Sequence, residues 1–258
     1  MKTRVCFGDY ESWPSLEGRS RIYEATVFAV DYEKKRGAML CSKKHGICFR
    51  IRDVIADDRV NLHSKVRDRL CESVVECAKR SDIITLDVNF ADFFSLWNQF
   101  IVDNGGIYIA HCWENDAKML LDTQQFLGVK GVIKKKYLHY MDSDMGTYDK
   151  NHASIVKICS ERVLKERAPV FKRNFHRRVD AGGDIALTYR GYYPSNLEAY
   201  SKAQDADHEQ KHNSVCDTLD LIGVMSSAIS DDGIGIIGNR SYYYQSKNFD
   251  RPSSNPRA

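Results

Sequence analysis

Short apolar runs set between helix-length stripes constrain this chain more than any other feature. Residues 25–30 (ATVFAV) and Ile107–Ala110 are such runs, and apolar, partly β-branched segments of that length read as buried strands; residues 83–86 (IITL) read as a strand or an extended connector. Residues 47–55 alternate for part of their length and read as a half-covered strand. Between these runs, 90–103 carries Phe93, Phe94, Leu96, Trp97, Phe100 and Ile101 at helical spacing, and Gly105-Gly106 stops it. The Trp97 stripe belongs in a core. Residues 64–80 form a second helix, with Val66, Leu70, Val74 and Val75 on one side. Residues 114–127 form a third, closed by Gly128. A strand is expected over 137–141 and helices over 152–166, 195–203 and 212–229. Strands alternating with helices predict an α/β fold, a mixed sheet flanked by helices.

Residues 1–22 are polar and turn-rich and read as an N-terminal arm. Residues 23–232 read as the folded domain and 233–258 as a loose tail. No apolar stretch approaches the ~20 residues of a membrane span. The start, MKTRVCFGDYESW, lacks an apolar segment, so no secretory signal is expected. The eight cysteines include no C-x-x-C pair. They read as reduced thiols in an intracellular compartment, cytoplasmic or nuclear. Cys41, His45 and Cys48 lack a local fourth ligand and read as ordinary side chains. A net charge of +3 permits a polyanionic partner without demanding one.

Three acidic sites stand out by position. Asp31 and Glu33 follow the run at 25–30, and alternate strand residues project to one face. Asp116 follows the run Ile107–Ala110, early in the next helix. Asp217 opens the last long helix, five residues after His212. Carboxylates gathered at strand ends repel one another unless hard divalent cations separate them. Two such ions suit phosphodiester hydrolysis, and a nearby histidine suits proton removal from the attacking water.

Three stretches carry a resemblance: 27–33 (VFAVDYE), 107–121 (IYIAHCWENDAKMLL) and 212–217 (HNSVCD). In this order they resemble the three blocks of the DEDD 3′–5′ exonucleases, in the DEDDh branch, on a ribonuclease H-like fold. Asn213 stands where the sister branch has Tyr, and His212 stands five before Asp217, as the histidine branch requires. The segment 196–200 (NLEAY) resembles the short helix that precedes the third block. The resemblance implies that Asp31, Glu33, Asp116 and Asp217 ligate two Mg²⁺ or Mn²⁺ ions. It implies His212 as general base, single-stranded nucleic acid 3′ ends as substrate, RNA or DNA, and nucleoside 5′-monophosphates as product. Many relatives are dimers, which makes a homodimer compatible with it.

There are departures from that pattern. Lys34-Lys35-Arg36 stands where the family commonly has Thr after the first Glu; these cations either contact phosphates or form a solvated turn. Cys112 and Asn115 replace the usual Asn and aromatic of the second block. The long gap between Asp116 and His212 predicts an insertion within 140–194. There the run 171–178 (FKRNFHRR) interleaves cations with rings, and Lys172, Arg173, Phe175, Arg177 and Arg178 are candidates for gripping a strand. An exposed loop of the same composition is the alternative. At the level of function, the alternative is a catalytically silent nucleic-acid- or protein-binding module on the same fold.

Overall fold

The computed structural model describes residues 2–14, 20–35, 38–56, 64–105, 107–111, 113–129, 156–159 and 213–232. The N-terminal arm is the first expectation to be corrected. Lys2–Pro14 is a strand, β1, and it lies inside the sheet. It pairs antiparallel with β2 (Ser20–Lys35), from Lys2↔Glu33 to Pro14↔Ser20, and parallel with β5 (Ile107–Ala110), from Cys6↔Tyr108 to Gly8↔Ala110. Its apolar content is too thin to announce a strand. Partners on both sides satisfy its backbone, and Val5, Cys6 and Phe7 are buried.

β3 (Ala38–Ile51) pairs antiparallel with β2, and β4 (Ile83–Val88) runs parallel to β3 at one edge. At the other edge β6 (Val156–Cys159) runs parallel to β5. The sheet order is β4-β3-β2-β1-β5-β6. Residues 156–159 were expected in a helix; pairing with β5 makes them a strand, and tertiary pairing outweighs local pattern in so short a segment. The strand expected over 47–55 ends at Ile51, where the short helix α1 (Arg52–Ile55) begins. The elements expected over 137–141 and 195–203, the expected insertion range apart from β6, and the tail beyond 232 lie outside the described residues.

Among the described residues four longer helices flank the sheet: α2 (Ser64–Ala78), α3 (Phe90–Asp103), α4 (Trp113–Leu127) and α5 (Ser214–Asp232). This is the expected α/β arrangement, a mixed sheet flanked by helices. Among the described residues, no helix is long and apolar enough to cross a membrane.

α3 starts where Asn89 accepts a hydrogen bond from the Asp92 N–H at 2.8 Å, a side-chain cap. The Asp53 carboxylate of α1 accepts the Phe90 N–H at 3.1 Å. Gly105, at φ 98°, lets the chain leave the helix in a left-handed turn. The buried stripe of α3 is the expected one, centred on Trp97, although Leu96 is exposed. Trp97 meets Tyr10, Phe93 and Tyr108 edge to face, with centroids 4.8, 5.6 and 5.7 Å apart. α2 differs from expectation. Val66 and Leu70 face inward, but Val74 and Val75 are exposed, and Ser73 and Cys77 continue the buried stripe.

Gly8 sits under the indole. A Cβ there would lie 2.8 Å from Trp97 and 2.9 Å from the Thr26 carbonyl oxygen. Neither a packed ring nor a strand backbone yields easily. Gly8→Ala is expected to cost about 1–3 kcal/mol of stability, the usual range for overpacking a core. Urea unfolding followed by tryptophan fluorescence measures it.

Candidate acidic site

The tripeptide DYE occurs twice, at 9–11 and at 31–33. The second pair is the one expected to supply the site's first carboxylates, but it is the first pair that meets Asp217. Asp9 and Glu11 of β1 and Asp217 of α5 each place a carboxylate oxygen within 4.8 Å of the others. Asp9 and Asp217 are half-buried and Glu11 is buried. Asp116 lies in α4, just beyond the end of β5, and is buried. Its charge is felt by Tyr10 and Tyr108, which feel Asp9 as well.

Asp31 and Glu33 lie elsewhere. β2 runs on to Lys35, so they sit inside a strand and not past its end. Asp9 pairs with Thr26 while Asp31 pairs with Arg4. That is five residues along the ladder, roughly 16 Å at 3.3 Å per residue, and on the opposite face. Arg4 donates two hydrogen bonds to Asp31, the longer 2.9 Å, and Lys35 lies 3.8 Å from Glu33. β2 also carries Lys34 to this far end. Arg36, Lys172, Arg173, Phe175, Arg177, Arg178 and His212 lie outside the described residues. Cys41 and Cys48 do not converge with His45, whose ring packs instead on Phe100 at 5.6 Å.

A signal in the sequence separates the two DYE copies. Ser12 follows Glu11, a hydroxyl residue where the resemblance expects Thr, while Lys34 follows Glu33. The apolar run before Asp9 is only Val5-Cys6-Phe7-Gly8, and it was hidden in a segment that reads as turn-rich.

Asp217 is placed by a buried polar network. Asn213 caps α5: its Oδ1 accepts the Val215 and Cys216 N–H groups at 3.0 and 3.3 Å. Its Nδ2 donates to Ser73 Oγ of α2 at 2.7 Å, and Ser73 Oγ donates to Glu24 Oε1 of β2 at 2.7 Å. A second chain reaches the same oxygen. Thr26 and Ser214 hydroxyls lie 2.7 Å apart, and Ser214 donates to Glu24 at 2.6 Å. Ser73 is polar on the inner stripe of α2 because it serves this network.

Crowding sets the electrostatics. Burial pushes the Asp9 carboxyl well above the ordinary range, and Asp217 and Glu24 push further, against a hydrogen bond from the Tyr10 backbone. Glu11 is raised by burial and then by Asp9, Asp217 and Glu24, with Arg69 opposing. Burial also raises Glu24, which sits opposite Glu11 in the ladder; Ser214, Ser73 and Arg50 resist it. Carboxylates held together against repulsion suit a hard divalent cation with oxygen ligands, and the donor set here is all oxygen.

No protein-family model and no curated protein matches the chain. Among solved structures it is similar to the zinc-ion-bound form of the E. coli ExoI–ssDNA complex, at 10% identity over 90% of this chain and 41% of that one, TM-score 0.44. It is similar also to E. coli exonuclease I in complex with a dT13 oligonucleotide, at 10% identity over 94% of this chain and 46% of that one, TM-score 0.45. The chain spans less than half the length of those proteins.

Carboxyl groups raised in the folded state stabilise it below their unfolded value of about 4, and that stability is lost as pH rises through the folded value. In EDTA, Asp9→Asn is therefore expected to raise the thermal midpoint, by more at pH 8 than at pH 5. In Mn²⁺ the order reverses, because the wild type gains from the bound ion. Differential scanning fluorimetry of both proteins, with and without metal, checks the sign.

Proposed function

We propose that this chain is a metal-dependent 3′–5′ exonuclease acting on single-stranded nucleic acid, RNA or DNA. The observation that carries the reading is the meeting of Asp9, Glu11 and Asp217, from two distant segments, with oxygens within 4.8 Å. Asp116, beyond β5, is the fourth carboxylate that the resemblance implies, with Asp9 and Glu11 in the places first given to Asp31 and Glu33. These four would hold two Mg²⁺ or Mn²⁺ ions. Bound divalent cations supply charge neutralisation at the phosphodiester and ease deprotonation of water.

The chain's own residues do the rest. Asn213 and Ser73 hold the start of α5, so that Asp217 faces β1. His212, directly before that cap, takes the proton from the attacking water at an imidazole nitrogen. The water attacks the phosphorus of the last phosphodiester, and the bond to the preceding nucleotide's 3′ oxygen breaks. The product is a nucleoside 5′-monophosphate. Gly8 and Trp97 set the position of β1, and hence of Asp9 and Glu11 beside it.

The test gives the protein 5′-labelled single-stranded RNA and DNA 20-mers in Mg²⁺, Mn²⁺ or EDTA. A ladder shortening from the 3′ end in metal alone supports the reading. Asp9→Asn and Glu11→Gln should each lose about a thousandfold in rate, the scale of losing an essential charge-stabilising group. Asp31→Ala/Glu33→Ala should stay within about threefold, as surface changes away from a site do. Intact substrate in every metal, with a retained gel shift, would point instead to a silent binding module.

His212→Ala is expected to lower the rate about a hundredfold or more, in the range of general-base loss. Metal affinity should remain, read by Mn²⁺ titration with electron paramagnetic resonance.

A further inference from the structure

One cation of α2 meets the acidic site. Arg69 stands one helical turn before Ser73, and its Nη1 lies 3.8 Å from Glu11 Oε2. Its side chain is 27% exposed, while that of Glu11 is 10% exposed. The Tyr23 phenol adjoins the guanidinium, and the Asp217 charge reaches it as well. Burial disfavours its charge, but Tyr23, Glu11 and Asp217 outweigh that. The guanidinium thus sits at the rim of a crowded anionic site, with one side on Glu11 and another open to solvent.

Two consequences follow from charge alone. With no divalent ion bound, Arg69 partly offsets the repulsion among Asp9, Glu11 and Asp217. A divalent ion drawing on Glu11 competes for the carboxylate that Arg69 contacts. A guanidinium so freed remains beside the site, carries five donors in a fixed fork and suits a phosphate.

We propose that Arg69 is the site's built-in counter-ion, a positioning residue that holds Glu11 until the divalent cation arrives and then grips a phosphodiester of the single strand. The proposal rests on the nuclease reading for its substrate, but neither half of its test needs turnover.

Arg69→Gln is the first variant. Mn²⁺ titration by electron paramagnetic resonance should show affinity about tenfold tighter than wild type, the effect of removing one nearby unit charge at water-like screening. Binding of a phosphorothioate-linked dT 20-mer, which resists hydrolysis, should weaken in Mn²⁺. The slope of log affinity against log salt should become shallower by about 0.7, the share of one single-strand phosphate contact. Arg69→Lys is the second variant, which keeps charge and stem and guards against loss of fold. Its Mn²⁺ affinity should stay within about twofold of wild type, because the unit charge is unchanged, while oligonucleotide binding weakens through loss of the fork. Unchanged or weaker Mn²⁺ affinity in Arg69→Gln would overturn the counter-ion role. An unchanged salt slope in Arg69→Gln, or unchanged oligonucleotide binding in Arg69→Lys, would overturn the phosphate role. Failure of the nuclease reading would show separately, as absent cleavage by the wild type.

Discussion

The buried carboxylate of Glu24 is the interaction on which the acidic site depends. It is 1% exposed and lies on β2, and two chains of donors end on it, Asn213–Ser73 and Thr26–Ser214. A hydrogen bond to a charged group is worth about 1.5–3 kcal/mol, and an unmade one at a buried group costs as much. This cost makes the network specific. Sliding α5 along the sheet by one turn would part Asn213 from Ser73, and Ser214 from Glu24 and Thr26. Apolar packing alone tolerates such slips, because it is not directional. The network therefore converts the loose docking of a helix into a defined position for Asp217.

The aromatic side of the sheet complements this. Trp97 lies against Gly8, and Tyr10, Phe93 and Tyr108 close around it. That packing seats the Trp97 indole of α3 on one face of β1, and β1 carries Asp9 and Glu11 on its other face. Each face of one strand thus has its own task, a dense apolar contact below and a cluster of acids above. The acids are costly to the fold, since Asp9 and Glu11 are both raised by burial and by each other's neighbours. Such cost is expected where a site is built for a ligand and not for stability.

Much of the scaffold was legible in the sequence. The stripe of α3, its glycine stop and the helix that carries Asp116 follow from local periodicity and termination, which short-range forces decide. Asp217 at the head of α5 was legible for the same reason. The Val74 and Val75 reading of α2 failed because hydrophobicity alone does not foresee a polar residue turned inward to serve a partner. The helix over 152–166 failed because β6 is made by its neighbour β5.

The sequence by itself determined that acidic pairs of the D-x-E kind would exist and which helices would bring Asp116 and Asp217. Between two identical DYE tripeptides it offered a single-residue signal, Ser12 after Glu11 against Lys34 after Glu33, and set against it a longer apolar run before the second copy. The tertiary structure decided through strand pairing. In the antiparallel β1–β2 ladder the two copies fall at opposite ends and on opposite faces, and α5 reaches only one of them. Arg4 meets the other. Register across a sheet is a property of two segments together, so no reading of either segment alone contains it.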